Sequence, residues 1–200
     1  MTDEQTPPRP VPGVSRRRLL EAATAGAVVA LAGCLGDDEE IPDPIALDQG
    51  QSCDQCNMQI DMHPGPVGQS YYLDDPPEDL PEDRENGIAH FCSSWCLYTY
   101  VFRQADQGPE PAGSYLTDYT TVDYTVREEG GELVISAHLG AEAFARAREL
   151  THAVDSDVQG AMGGSLVGFS DADDADAFIE EYGGTRVPHG DVTREMVASL

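Results

Sequence analysis

From residue 51 onward the apolar positions fall in short runs of mixed period, with few long helical stretches, and this predicts an α+β domain. Residues 67–73 are β-prone and follow the turn cluster Pro64-Gly65-Pro66. Residues 74–86 form an acidic, proline-bearing loop, and 88–91 read as a short strand. Residues 94–102, with Trp95, Leu97, Tyr98, Val101 and Phe102, predict a largely buried helix capped by Ser93 or Ser94. Strands are expected over 115–119, 122–127 and 132–137, the last two joined across Glu128-Glu129-Gly130-Gly131. A helix is expected over 142–150, then strands over 152–158 and 165–169. Ser170-Asp171-Ala172-Asp173 resembles a capping box. The helix after it aligns Ala175, Phe178, Ile179 and Tyr182 on one face and stops at Gly183-Gly184.

One element pair occurs twice. Ile88-Ala89-His90-Phe91 with its Trp95 helix has the same strand-to-capped-helix form as Leu166-Val167-Gly168-Phe169 with the Phe178 helix, 78 residues later. Two related αβ units packed together would account for the echo.

The N-terminal segment reads as an address. Arg16 and Arg17 lie in Ser15-Arg16-Arg17-Arg18-Leu19-Leu20, a twin-arginine export pattern, followed by a short apolar run over 22–32. Eleven residues are too few to span a bilayer. Leu31-Ala32-Gly33-Cys34 resembles a lipobox, with Cys34 as the lipidated first residue of the mature chain; an uncleaved anchor helix is the alternative. The expected organisation is a signal peptide over 1–33, an acidic tether over 34–49, a domain over 50–190 and a helical tail over 191–200. The body is then exported by the twin-arginine route and lipid-anchored to the outer face of the cell membrane.

Composition sharpens this picture. The 200 residues carry 37 acidic and 11 basic side chains, every cation is an arginine, and the formal charge is −26. Removing 1–33 takes away three acids and four arginines and leaves −27. Such a field repels phosphate backbones and argues against nucleic acid as a partner. Concentrated salt, with a Debye length of about 3 Å at 1 M, would screen this surface, so a halophilic source is expected.

Sulfur carries the chemistry. Cys53-Asp54-Gln55-Cys56-Asn57-Met58 places two thiols and a thioether within six residues, a soft set suited to Cu(I). A second pair, Cys92 and Cys96, begins at a helix N-terminus, where thiol pKa values fall. Together the pairs also fit Zn, and in an exported protein they fit disulfide staples. A thioredoxin-like dithiol is less well matched, because Cys53-x-x-Cys56 is not set between a strand and a helix. Met162 lies in the glycine-rich run Gly160-Ala161-Met162-Gly163-Gly164, poorly placed for core packing and able to approach a site supplied by another segment. His63, His90 and His152 are further candidate ligands; each also fits an ordinary surface or strand histidine. With no serine triad, phosphate loop or distinctive carboxylate pair, no enzyme activity is expected.

The ordered set Cys53-x-x-Cys56-x-Met58, Gly65-Pro66-Val67-Gly68-Gln69, Phe91-Cys92-Ser93, Tyr115-x-Thr117-Asp118-Tyr119, Gly160-Ala161-Met162-Gly163, Phe169 and Gly183-Gly184, behind a twin-arginine lipoprotein leader, resembles the NosL family in a halophilic archaeal form. These are accessory lipoproteins of nitrous oxide reductase maturation. The resemblance implies two ββαβ-type units, as in organomercurial-lyase-like folds, and a Cu(I)-binding chaperone role toward the reductase or its membrane assembly complex. It places copper residues at Cys53, Cys56, Met58 and Met162. Asn57 stands where the family usually has Gly, and Thr117-Asp118-Tyr119 stands where some members carry His-Asp-Met. Cys96 is additional to the family pattern. A structural zinc- or disulfide-stapled assembly module, or delivery to a different exported copper protein, is the alternative.

Overall fold

The computed structural model describes residues 41–200. Arg16, Arg17 and Cys34 lie outside them, as do the leader and the first part of the tether. Among the described residues no helix is long and apolar enough to cross a membrane.

The chain runs β1 (Gly68–Tyr71), β2 (Ile88–Phe91), α1 (Ser94–Ala105), β3 (Gly113–Thr117), β4 (Val126–Glu129), β5 (Glu132–Ile135), β6 (Phe144–Arg146), β7 (Thr151–Val154), β8 (Val158–Gly160), β9 (Gly163–Gly164), β10 (Val167–Phe169), α2 (Ala172–Tyr182), β11 (Thr185–Pro188) and α3 (Arg194–Ala198). It is an α+β fold in which one topology occurs twice. In the first unit β1 is flanked by β2 and β3, all antiparallel, and α1 connects β2 to β3. In the second, β7 is flanked by β10 and β11, and α2 connects those two. Each unit is thus ββαβ with its first strand in the middle. The helices that echo one another in sequence occupy equivalent places.

A third sheet, ordered β4-β5-β8-β9, is built from the insertions between these elements, with β5 and β8 parallel. Gly130-Gly131, both at positive φ, make the two-residue turn between β4 and β5. The two units join where Asp118 bridges Gly168 and the Tyr119 N–H donates to the Gly168 carbonyl at 2.9 Å.

Three cores follow from this layout among the described residues, the smallest formed by Ile41, Tyr71, Ile88 and Tyr115. The largest gathers Leu47, Ile60, Tyr72, Phe91, Leu97, Tyr100 and Leu116 around α1. Gly68 lets the helix lie close on the sheet, since a Cβ there would sit 2.7 Å from both Leu97 and Leu116. The second packs Phe178 and Ala175 of α2 against Tyr119, Ile135, Val167 and Phe169.

Several expectations are corrected. Residues 142–150 do not form a helix: a 3-10 turn, the three-residue strand β6 and a second 3-10 turn replace it. Phe144–Arg146 pair with β3, and the open backbone groups of that sheet edge outweigh the local alanine preference for helix. The strand over 122–127 begins only at Val126. The expected strand 152–158 divides into β7 and β8, separated by Asp155 at φ +59°. Residues 41–48, read from composition as solvated tether, are fastened to the domain. Ile41 and Leu47 are buried, the Leu47 N–H donates to the Leu139 carbonyl, and Tyr71 and Tyr115 donate to the Asp43 and Pro42 carbonyls.

Candidate metal centre

The residues 53–58 fold as a tight knuckle. The Cys53 N–H donates to the Met58 carbonyl at 2.8 Å, and the Asn57 N–H donates to the Cys53 carbonyl at 2.7 Å. Asn57 itself sits at φ +63°, a left-handed position that Asn tolerates better than most side chains, so replacing Gly there preserves the loop. The second cysteine pair follows β2 directly. Ser93 caps α1, its Oγ accepting from the Cys96 N–H at 3.0 Å, which fixes Cys92 just before the helix and Cys96 in its first turn.

These two local structures face each other. The Sγ atoms of Cys53, Cys56, Cys92 and Cys96 all lie within 4.8 Å of one another. The Cys56–Cys92 contact is 3.5 Å and Cys92–Cys96 is 3.7 Å. All four are free thiols, so the disulfide alternative is not the state of this structure. Thiolates around one tetrahedral metal at about 2.3 Å stand roughly 3.8 Å apart, so the four sulfurs are already near the spacing a single ion requires. Cys53, Cys92 and Cys96 are buried, and Cys56 is half-buried, so the group opens on one side only.

The thiols are coupled to one another through hydrogen bonds. Hydrogen bonds from Cys92, then Cys96, outweigh burial and hold Cys53 down at about 2. The Cys92 thiol is pushed up chiefly by its bond to Cys53, and Cys96 likewise. A soft cation entering such a group would displace the protons that the sulfurs share.

The histidines are placed elsewhere: none brings a ring nitrogen into the four-sulfur group. His90 Nδ1 accepts from Arg84 at 2.6 Å, and burial, then the guanidinium, lowers the ring to about 4. His152 is fully buried against the Tyr98 hydroxyl at 2.7 Å. His63 is half-buried beside a 3-10 turn. Of the thioethers, Met58 is half-buried on the knuckle and packs against the larger core. Met162 is 38% exposed in the turn between β8 and β9. The segment after that turn is tied to the first turn of α1, where the Leu166 N–H donates to Ser94 Oγ at 2.9 Å.

Two residues at the site escaped the sequence reading. The Asp54 carboxylate accepts from the His90 N–H at 2.7 Å and from Arg84 Nη2 at 2.9 Å. Burial pushes Asp54 upward, opposed by the His90 N–H and then by the guanidinium. The available signal was that Arg84 is the single cation of the acidic loop 74–86.

Two chelating cysteine pairs converging inside a doubled ββαβ frame define a thiol-lined site of the kind that holds soft metals. The sequence model of the NosL family matches residues 44–197, and the chain belongs to that family. The fold is similar to the crystal structure of the copper chaperone NosL from Shewanella denitrificans, at 26% identity and a TM-score of 0.60, over 78% of this chain and 99% of that one. No match was found among curated protein sequences.

Proposed function

We propose that this protein is a membrane-anchored, non-catalytic Cu(I) chaperone that supplies nitrous oxide reductase, directly or through its membrane assembly complex. The observation that carries the reading is the convergence of four free thiols with one half-buried member, Cys56, two residues before Met58. Membership of the NosL family and the likeness to a solved copper chaperone support it. Cu(I) is the cargo. It is satisfied by two or three soft ligands, so an incoming ligand from an acceptor can bind at the open side while Cys56 leaves, with no redox change. Met58 and Met162 supply neutral thioethers whose weaker hold keeps that exchange easy. Cys34 as lipid anchor and an exported location accord with the leader sequence.

A second reading has its own observation. Four thiols within 4.8 Å of one another match the ligand count of a closed structural zinc site, and such a site would make the domain a stapled assembly module. One experiment separates the two: an anaerobic Cu(I) competition titration in high salt against a chromophoric chelator, with thiols and zinc counted in the same sample. One tightly bound Cu(I) per chain that protects the Cys53 and Cys56 thiols supports the chaperone. Zinc that Cu(I) does not displace, or four titratable thiols with no copper bound, decides for the structural module.

A further inference from the structure

The two halves of the knuckle are held unequally. Its Cys53 side is bonded twice to β2 and once to the loop before it: the Asp54 N–H donates to the His90 carbonyl at 2.8 Å, the His90 N–H donates back to Asp54 Oδ2 at 2.7 Å, and Arg84 donates to Asp54 Oδ1 at 2.9 Å. Arg84 also donates to the Ile88 carbonyl at 3.2 Å and to His90 Nδ1, so one guanidinium grips the knuckle and two residues of the strand leading to Cys92. The Asp54 and Arg84 side chains are only 11% and 21% exposed, so salt screens the pair far less than a surface bridge. On the other side, Cys56 meets the rest of the site through its sulfur at 3.5 Å from Cys92, and Asn57 is exposed.

We infer that Arg84 is a positioning residue for the metal site. Acting through Asp54 and His90, it fixes Cys53 onto the Cys92/Cys96 pair as a rigid three-thiol base and leaves Cys56, on the turn into exposed Asn57, as the arm that opens. The consequence for cargo rests on the chaperone reading, since a fixed base retains the ion while the arm is exchanged. The clamp itself does not rest on it. It is built from the acidic loop between β1 and β2, whose composition alone suggests a solvated connection.

The test is made on metal-free, reduced protein in high salt. Limiting iodoacetamide under single-hit conditions, followed by peptide mapping, gives the ratio of Cys53 to Cys56 modification. In the parent Cys56, at the open side, is modified at least tenfold faster than Cys53, whose burial outweighs its greater acidity toward the reagent. Arg84→Met brings the two rates to within about threefold, and Arg84→Lys restores most of the difference. Where Arg84→Met loses its near-UV circular dichroism, Asp54→Asn is scored in its place. Equal rates in the parent overturn the proposal, as does an unchanged ratio in a folded Arg84→Met or Asp54→Asn. For Cu(I), the folded clamp variants bind about tenfold more weakly than the parent. A parent that binds no Cu(I) but shows the ratio and its loss overturns the chaperone reading and keeps the clamp.

Discussion

At the residue scale, the four sulfurs divide by what surrounds them. Cys96 is wholly buried in the larger core, whereas Cys56 is half-buried at its margin. Replacing either with Ser removes one soft ligand, but the energetic cost to the fold differs. A hydroxyl at Cys96 has only sulfur and the capped first turn of α1 around it, so Cys96→Ser should cost about 1–3 kcal/mol of stability as well as the site. Cys56→Ser can turn its hydroxyl to solvent and should stay within about 0.5 kcal/mol of the parent. Met162→Leu, at an exposed turn, should leave the melting temperature unchanged. Melting curves beside Cu(I) competition titrations check all three: Cys56→Ser and Met162→Leu are expected to weaken copper binding without unfolding. If both bind copper like the parent, those two sulfurs are not ligands.

At the scale of elements, local signals were legible and distant pairings were not. The capping serine of α1, its aromatic face and the Gly183 stop of α2 all act within a few residues, and each lies where the sequence puts it, whereas the α2 cap falls on Asp171, one residue beyond the Ser170 that opens the expected capping box. β6 depended on an open sheet edge supplied by β3, so no window of its own could reveal it. The same holds for the site. Spacing shows two cysteine pairs, but that they meet depends on the knuckle docking to the end of β2, across 36 residues between Cys56 and Cys92. Arg84 was hidden for the same reason, a lone loop cation whose guanidinium contacts are long-range or to the next strand. The α1 cap is where element and site coincide. Ser93→Ala removes the acceptor for the Cys96 N–H and should lower stability by about 1 kcal/mol. It should also weaken metal binding while the Cys92 and Cys96 thiols remain, a split that thermal melts and titrations on one sample would show.

At the scale of the whole molecule, charge and buried histidine set opposing pH dependences. Lowering the pH from 7 neutralises carboxylates and relieves self-repulsion in a chain with 37 acids against 11 arginines, which favours folding. His152 and His90 act the other way. Burial, then His189, lowers His152 to about 3, and His90 is lowered to about 4, against 6.5 for the free side chain. Because the unfolded chain takes up these protons first, the two histidines contribute stability that is fully present above pH 6.5 and is lost as the pH falls toward 3–4. His152 alone accounts for about 2 kcal/mol lost at pH 5. Salt separates the two effects, since it screens surface carboxylates and leaves a buried imidazole nearly untouched. For the metal-free, reduced protein in high salt, the melting temperature should therefore fall steadily between pH 7 and pH 5, and His152→Gln should flatten the slope by about half. A melting temperature that rises over that range in high salt would mean that the histidines are protonated in the folded state and that surface charge dominates even when screened.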